Sequence, residues 1–169
     1  MDNKTELRII AKSIRKTLDM QDISHKLCEK IKELDEYKFS QNILLFYPLE
    51  HEVNLLELVN NEKNFYLPKI KDETLEICPY KKGDSLKLNN FKIQEPLTKP
   101  VLSSKIDLII LPALAADIHN NRLGYGKGFY DRLLENTKAT TVLPLPKVLI
   151  FEQIPTEEHD KTVDILLTV

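Results

Sequence analysis

Residues 121–134 read NRLGYGKGFYDRLL, and this stretch holds three of the chain's four glycines, Gly124, Gly126 and Gly128. Glycine is used where the backbone must take a positive φ, or where a ligand must approach without a Cβ in the way. So dense a cluster in so glycine-poor a chain reads as backbone shaped to wrap a ligand. Arg122 and Lys127 sit in the same stretch, and a helical pattern (Phe129, Tyr130, Leu133, Leu134) begins as the glycines end. Free N–H groups at a loop-to-helix junction, with cations beside them, make an anion site. The reading is a phosphate cradle; its plain alternative is a flexible surface turn, which glycines also mark. The spacing departs from the dinucleotide fingerprint, whose third glycine would fall at Phe129. It departs from the P-loop too: Gly128 follows Lys127 where Ser or Thr is required, and no glycine stands five positions before Gly126.

The string RLGYGKGFYD at 122–131 resembles the R-L-G-x-G-x-G-[YF]-Y-D signature of the 5-formyltetrahydrofolate cyclo-ligases, also called 5,10-methenyltetrahydrofolate synthetases. In that family the signature follows a buried strand and a proline-rich turn. Here the strand is Asp107 to Leu111, the turn starts at Pro112, and Asp117 lies between. The resemblance covers nearly the full length and is weakest between positions 71 and 104. Ala113 and Ala115 stand where glycine is common in the family, and Asn120 replaces a turn glycine. Asn tolerates left-handed geometry, so the turn is expected to survive; the two alanines are expected to narrow the pocket.

The 169 residues suffice for one domain with a proper core and are too few for two of typical size. A hydrophobic share of 42% beside 30% charged residues fits an ordinary globular protein, and a net charge of -2 argues against a general nucleic-acid binder. Cys28 and Cys78 lack metal-ligand spacing and fit free thiols in a reducing cytosol. No apolar run has the character of a signal peptide or the length of a membrane span. The expectation is a cytoplasmic enzyme or binding protein with no nucleic-acid or membrane partner, read as a monomer.

Taken in order, Leu7, Ile10, Ile14 and Leu18 mark one face of a helix over 3–18, capped by Asp2 or Asn3. Lys4, Arg8, Lys12, Arg15 and Lys16 form a basic stripe beside it, which reads as a solvated face or, for Lys4 and Arg8 one turn apart, as phosphate contacts. A second helix is expected over Ser24 to Tyr37, with His25 exposed and given no chemistry, and a strand over Ile43 to Tyr47 ending at Pro48. Glu52 falls where ligands of open α/β sheets bind, just before a helix predicted from Val53 or Asn54 onward; the alternative is a carboxylate placed to favour that helix start. Two strands follow, Phe65 to Ile70 and Thr74 to Pro79, with Pro68 suggesting an edge, and Lys81 to Asn90 reads as loop. Lys105 to Leu111 is the expected central strand. Asp117 and His119 read as turn formers, Phe129 to Asn136 as helix, Val142 to Pro146 as a break, Lys147 to Ile154 as a strand and Val163 to Leu167 as the last strand. Alternating strands and helices make the fold class α/β, a single domain over 1–169 with an open, mainly parallel or mixed sheet flanked by helices.

The resemblance implies an ATP- and Mg²⁺-dependent ligase of one-carbon metabolism, converting 5-formyltetrahydrofolate to 5,10-methenyltetrahydrofolate with release of ADP and phosphate. It places ATP on Lys4, Arg8 and the run Arg122, Leu123, Gly124, Tyr125, Gly126, Lys127, Gly128, Phe129 and Tyr130, with Arg122 and Lys127 acting on the transferred phosphoryl. It places the folate on Tyr47, Glu52 and Tyr130, and Mg²⁺ on Asp131 and Asp164. Plain readings stand beside these: core packing for Phe129, a favourable first-turn carboxylate for Asp131, and a solvent-facing strand residue for Asp164. Two other function classes remain, a non-catalytic nucleotide- or folate-binding regulator and an isomerase or transferase acting on a phosphorylated sugar, since an anion loop alone does not name its ligand.

Overall fold

The computed structural model describes residues 3–169; the alternative helix cap Asp2 lies outside the described residues. The fold is built on strand β6 (Leu108–Ile110), all of whose side chains are buried. Its residues alternate between two cores, as a period of two requires: Leu108 and Ile110 join Leu27, Ile31 and Val142, whereas Ile109 and Leu111 join Leu7, Ala11 and Leu143. A strand covered on both faces reads as a continuous apolar run, and a parallel sheet is the setting that demands it.

Strand β6 pairs in parallel with β1 (Asn42–Leu44) and with β9 (Thr140–Leu145). Beyond β1 lie β2 (Asn64–Lys71) and the antiparallel edge strand β3 (Thr74–Tyr80), and beyond β9 lies β11 (Ile165–Thr168). The main sheet thus runs β11-β9-β6-β1-β2-β3, mixed but mostly parallel. A small sheet joins β7 (Ala115–Asp117), β8 (Arg122–Leu123) and β10 (Ile150–Phe151), and a hairpin joins β4 (Leu86–Leu88) to β5 (Gln94–Pro96). One core contains the buried face of helix α1 (Lys4–Arg15); the other contains that of α2 (Met20–Glu33). Asn3 caps α1 by accepting from the Glu6 N–H, and Asp19 caps α2 through the Asp22 N–H. Two short helices complete the chain, α3 (Asp35–Phe39) and α4 (Phe129–Glu135). Among the described residues no helix is long and apolar enough to cross a membrane.

Several elements differ from the sequence expectation. The buried face of α1 is Leu7, Ala11 and Arg15, with Ile10 turned outward at 40% exposed. The helix expected from Val53 or Asn54 onward is a single 3₁₀ turn at Leu56–Leu58, although Leu55, Leu58 and Val59 are buried at a spacing that one helix face could also bury. Residues 142–146, expected as a break, belong mostly to β9, and the expected strand over 147–154 reduces to a 3₁₀ turn and the two residues of β10. Proline explains both β9 and β2. β1 accompanies β2 only as far as Tyr66 and β6 accompanies β9 only as far as Val142, so Pro68 and Pro144 lie where one neighbouring strand has stopped. A missing N–H is tolerated there.

The turn leading into the glycine stretch is held by Asp117, which is fully buried. Its carboxylate accepts from the His119 and Asn121 N–H groups, the Asn121 amide and the Ile154 N–H, at 2.9–3.0 Å. Asn120 takes the left-handed conformation expected of it, at φ 65. Burial alone would raise the Asp117 pKa, but the hydrogen bonds outweigh burial and hold it below the ordinary carboxylate value. A depressed folded-state pKa contributes stability above the unfolded value that is lost as pH falls through the folded one. Asp117→Ala should therefore cost at least about 3 kcal/mol in urea unfolding at neutral pH. The gap between the two proteins should narrow as pH drops below about 4.

Candidate active site

A cavity of about 910 Å³ opens beyond the carboxyl ends of β1, β2 and β6. That is near the upper end of the range for small-molecule sites, roughly 300–1,000 Å³. One wall carries Tyr47 and Glu52 from the segment after β1; the opposite wall is the glycine stretch, residues 122–132; Lys4 and Arg8 of α1 close one side. Every residue assigned to ATP or folate from the sequence lines this cavity, as does Asp131. Asp164 does not. It is exposed, and its Oδ2 accepts from the Thr141 N–H and hydroxyl at 2.8 and 3.1 Å. The late carboxylates that do line the cavity are Glu157 and Asp160, and Asp160 Oδ2 lies 2.5 Å from Lys4 Nζ.

The glycine loop is shaped by arginines. Gly126 at φ 100 and Gly128 at φ 71 take conformations that side chains resist, and Gly128 starts α4. Each glycine also makes room for a guanidinium. A Cβ on Gly124 would come within 3.1 Å of Arg122, one on Gly126 within 3.4 Å of Arg8, and one on Gly128 within 2.8 Å of Arg132. Arg8 Nε donates to the Gly124 carbonyl at 2.9 Å. The Arg122 side chain is 5% exposed, donates to the Pro112 carbonyl at 2.9 Å, lies 3.7 Å from Asp131 and stacks 5.5 Å over Tyr130. Its Nε is buried with no partner. Lys127 is exposed by contrast, with its ammonium 5.7 Å from the Phe91 ring.

On the facing wall Glu52 is 7% exposed. Its Oε1 accepts from the Leu49 N–H at 3.0 Å and its Oε2 from the Tyr125 hydroxyl at 2.5 Å. Burial pushes its pKa up, opposed by those two hydrogen bonds and by Arg15. Phe129 meets Phe91 edge-on, with ring centroids 6.3 Å apart, so it lines the cavity instead of filling the core. Phe91 stands between β4 and β5, just past the expected loop over Lys81 to Asn90, within which β4 forms instead. Ala113 and Ala115 are fully buried in the core and line no part of the cavity, so the expected narrowing does not occur.

The model of the 5-formyltetrahydrofolate cyclo-ligase family matches residues 2–169. The chain belongs to this family. A 5-formyltetrahydrofolate cyclo-ligase of Haemophilus influenzae is 29% identical over 170 residues, covering 93% of this chain and 90% of that protein. The NMR structure of the Aquifex aeolicus 5,10-methenyltetrahydrofolate synthetase superposes with a TM-score of 0.87 at 33% identity, over 98% of this chain and 89% of that one. A 5,10-methenyltetrahydrofolate synthetase of Mycoplasma pneumoniae shares the fold, at a TM-score of 0.77 and 21% identity over 99% and 98% of the two chains.

Sequence reasoning missed Arg15, Arg132, Asp160 and Phe91. A signal existed for the arginines. The chain has 24 basic residues and only four are arginines, Arg8, Arg15, Arg122 and Arg132. All four donate to main-chain carbonyls of the segments around this cyclo-ligase cavity. The positive φ at Gly126 yields a controlled comparison. Gly126→Ala and Gly83→Ala (φ 92, open space, outside the cavity) should each cost about 1–2 kcal/mol in thermal unfolding. Turnover should fall only for Gly126→Ala; equal turnover in both would remove the loop's conformation from function.

Proposed function

We propose that the protein converts 5-formyltetrahydrofolate and ATP to 5,10-methenyltetrahydrofolate, ADP and phosphate. The observation that carries this reading is the two-sided cavity, in which a buried carboxylate at Glu52 faces an arginine-braced glycine loop. A formamide oxygen is a poor leaving group. In the proposed reaction that oxygen attacks the γ-phosphorus, the bond to the β-γ bridging oxygen breaks, and ADP departs with its electron pair. The neighbouring amine nitrogen then attacks the activated carbon. Its proton is lost, phosphate leaves with the former formyl oxygen, and the ring closes. Such a sequence needs positioning and charge neutralisation more than a protein nucleophile.

In this reading the loop amides, Lys4, Arg8 and Arg122 bind the triphosphate, and Lys127, whose ammonium is free to follow the transferred group, neutralises charge on it. Glu52 accepts from pterin N–H donors, with Tyr47 and Tyr130 beside it. For that the Tyr125 hydroxyl must release one carboxylate oxygen. Mg²⁺ takes oxygen ligands and is held by one or two carboxylates plus substrate phosphates. Asp131 and Asp160 fit this need: both line the cavity, and the Asp131 carboxylate reaches the Lys161 N–H, next in the chain to Asp160. When bound, Mg²⁺ would neutralise phosphate charge. Ala113 and Ala115, which stand where glycine is common in the family, are packed in the core and give no ground for the regulator reading. Nothing in the cavity favours a phosphorylated sugar.

The direct test mixes the protein with ATP, Mg²⁺ and 5-formyltetrahydrofolate and follows the near-ultraviolet absorbance of the methenyl product; ADP release without product would refute the proposal. Lys127→Ala should lower kcat by roughly a hundredfold or more, and near-normal kcat would take it out of the mechanism. Glu52→Gln should weaken folate binding about tenfold or more while sparing ATP binding. Asp160→Asn should raise the Mg²⁺ concentration needed for half-maximal turnover; an unchanged magnesium titration rejects that ligand.

A further inference from the structure

Arg15 was expected on a solvated stripe, yet it is 3% exposed. It lies on the inward face of α1 at the spacing Leu7, Ala11, Arg15. Among the described residues no carboxylate lies within ion-pair distance of it. Its guanidinium is spent on main-chain carbonyls. Nε donates to Leu114 at 3.3 Å and Nη2 to Ala113, whereas Nη1 reaches across to His51 at 3.1 Å. These carbonyls belong to two separate segments, one following β6 and one following β1.

Each segment carries a functional wall. His51 precedes Glu52 and sits at φ 60, a left-handed conformation that a non-glycine residue adopts at a cost. Its turn is closed by the Glu52 N–H on the Leu49 carbonyl at 3.1 Å and by the Leu49 N–H on Glu52 Oε1. Ala113 follows Pro112, whose carbonyl receives Arg122. One rigid fork therefore ties the Glu52 turn to the segment on which Arg122 rests. Burying a guanidinium without a carboxylate is costly unless its donors are satisfied and its charge is used. The bonds to main chain provide the first, and the second lies nearby: Arg15 is the cation that draws the buried Glu52 carboxyl down, against burial.

We propose that Arg15 is a positioning residue of the cyclo-ligase reaction, fixing the Glu52 turn relative to the Pro112–Arg122 anchor and bringing a buried positive charge to the Glu52 side of the cavity. The inference rests on the proposed reaction. Its two roles separate because lysine keeps the charge but not the three-carbonyl fork, and glutamine keeps neither. The groups facing Glu52 are Arg15 from α1, the Tyr125 hydroxyl from the glycine loop and Tyr130 from α4. His51 beside it in the chain has its ring 3.5 Å from Glu50. Only Arg15 brings a buried cation to the carboxylate.

The test measures kcat, the KM for each substrate and the pH profile of kcat/KM for 5-formyltetrahydrofolate, in the wild type, Arg15→Lys and Arg15→Gln. Circular dichroism confirms that each protein is folded. Both variants should lose kcat by about tenfold, as a misplacement of the two walls requires. In Arg15→Gln alone the acid limb should move to higher pH, because burial, which raises the Glu52 pKa, is then opposed only by the Tyr125 and Leu49 hydrogen bonds. A purely structural residue would lower thermal stability and leave that limb in place. Wild-type kcat in a folded variant, or an acid limb that moves equally in both, overturns the proposal. Should Arg15→Gln not fold, Arg15→Lys decides the positioning role through kcat alone. A wild type that makes no methenyl product would instead refute the parent reaction, so the two failures are distinguishable.

Discussion

The ligand-binding edge of this protein depends on the hydrogen bond from guanidinium to main-chain carbonyl. Four segments meet there without belonging to one sheet: the turn after β1, the Pro112 segment after β6, the glycine loop, and the tip between β2 and β3. Loops over an open sheet have little apolar surface with which to hold one another. Arginine solves this with a planar fork that can serve two or three carbonyls at once, where lysine offers a flexible point charge. Arg132 shows the pattern at the rim, donating to Lys127 at 2.8 Å and to Glu73 at 2.7 Å, and so joins the glycine loop to the β2–β3 tip. The distribution follows from the chemistry. A chain with 24 basic residues keeps its four arginines for this edge and leaves the remaining basic positions to lysine.

That bracing also explains the three glycines. Only two of them need a positive φ. All three, however, stand against a guanidinium that a methyl group would crowd, most severely at Gly128. Bracing from the protein side holds the loop's conformation, which would preorganise its amides for the ligand of the proposed reaction. Preorganised donors in a site shielded from water are where electrostatic catalysis gains most.

The sequence made the sheet's centre and the site's membership readable, for different reasons. Leu108 to Leu111 is apolar on both faces, and only a buried parallel strand asks for that. The glycine stretch declared itself by density, and Glu52 by its place after a strand. What failed was whatever depends on a neighbour's length. Pro144 looked like a break because a proline inside a paired strand removes a ladder bond, but the adjoining strand ends before reaching it. The segment after Val53 looked helical because Leu55, Leu58 and Val59 fall at helical spacing, yet only Leu56–Leu58 forms a turn. Asp160 and Asp164 lie four positions apart, and only the path of the chain decides that the first lines the cavity while the second accepts from Thr141.

Charge in the cavity is arranged to be exchanged, not merely accumulated. Lys4 is engaged by Asp160, and that pair holds the Asp160 pKa below its ordinary value even though burial would raise it. Arg122 has Asp131 at 3.7 Å, and Tyr125 occupies one oxygen of Glu52. Lys4, Arg122 and Glu52 are thus each paired with another group of the site, which avoids the penalty of leaving a buried charge alone. In the proposed reaction Asp160 and Asp131, which lie against Lys4 and Arg122, would instead hold the divalent cation while phosphate oxygens take up the two cations, so that each charge would keep a partner.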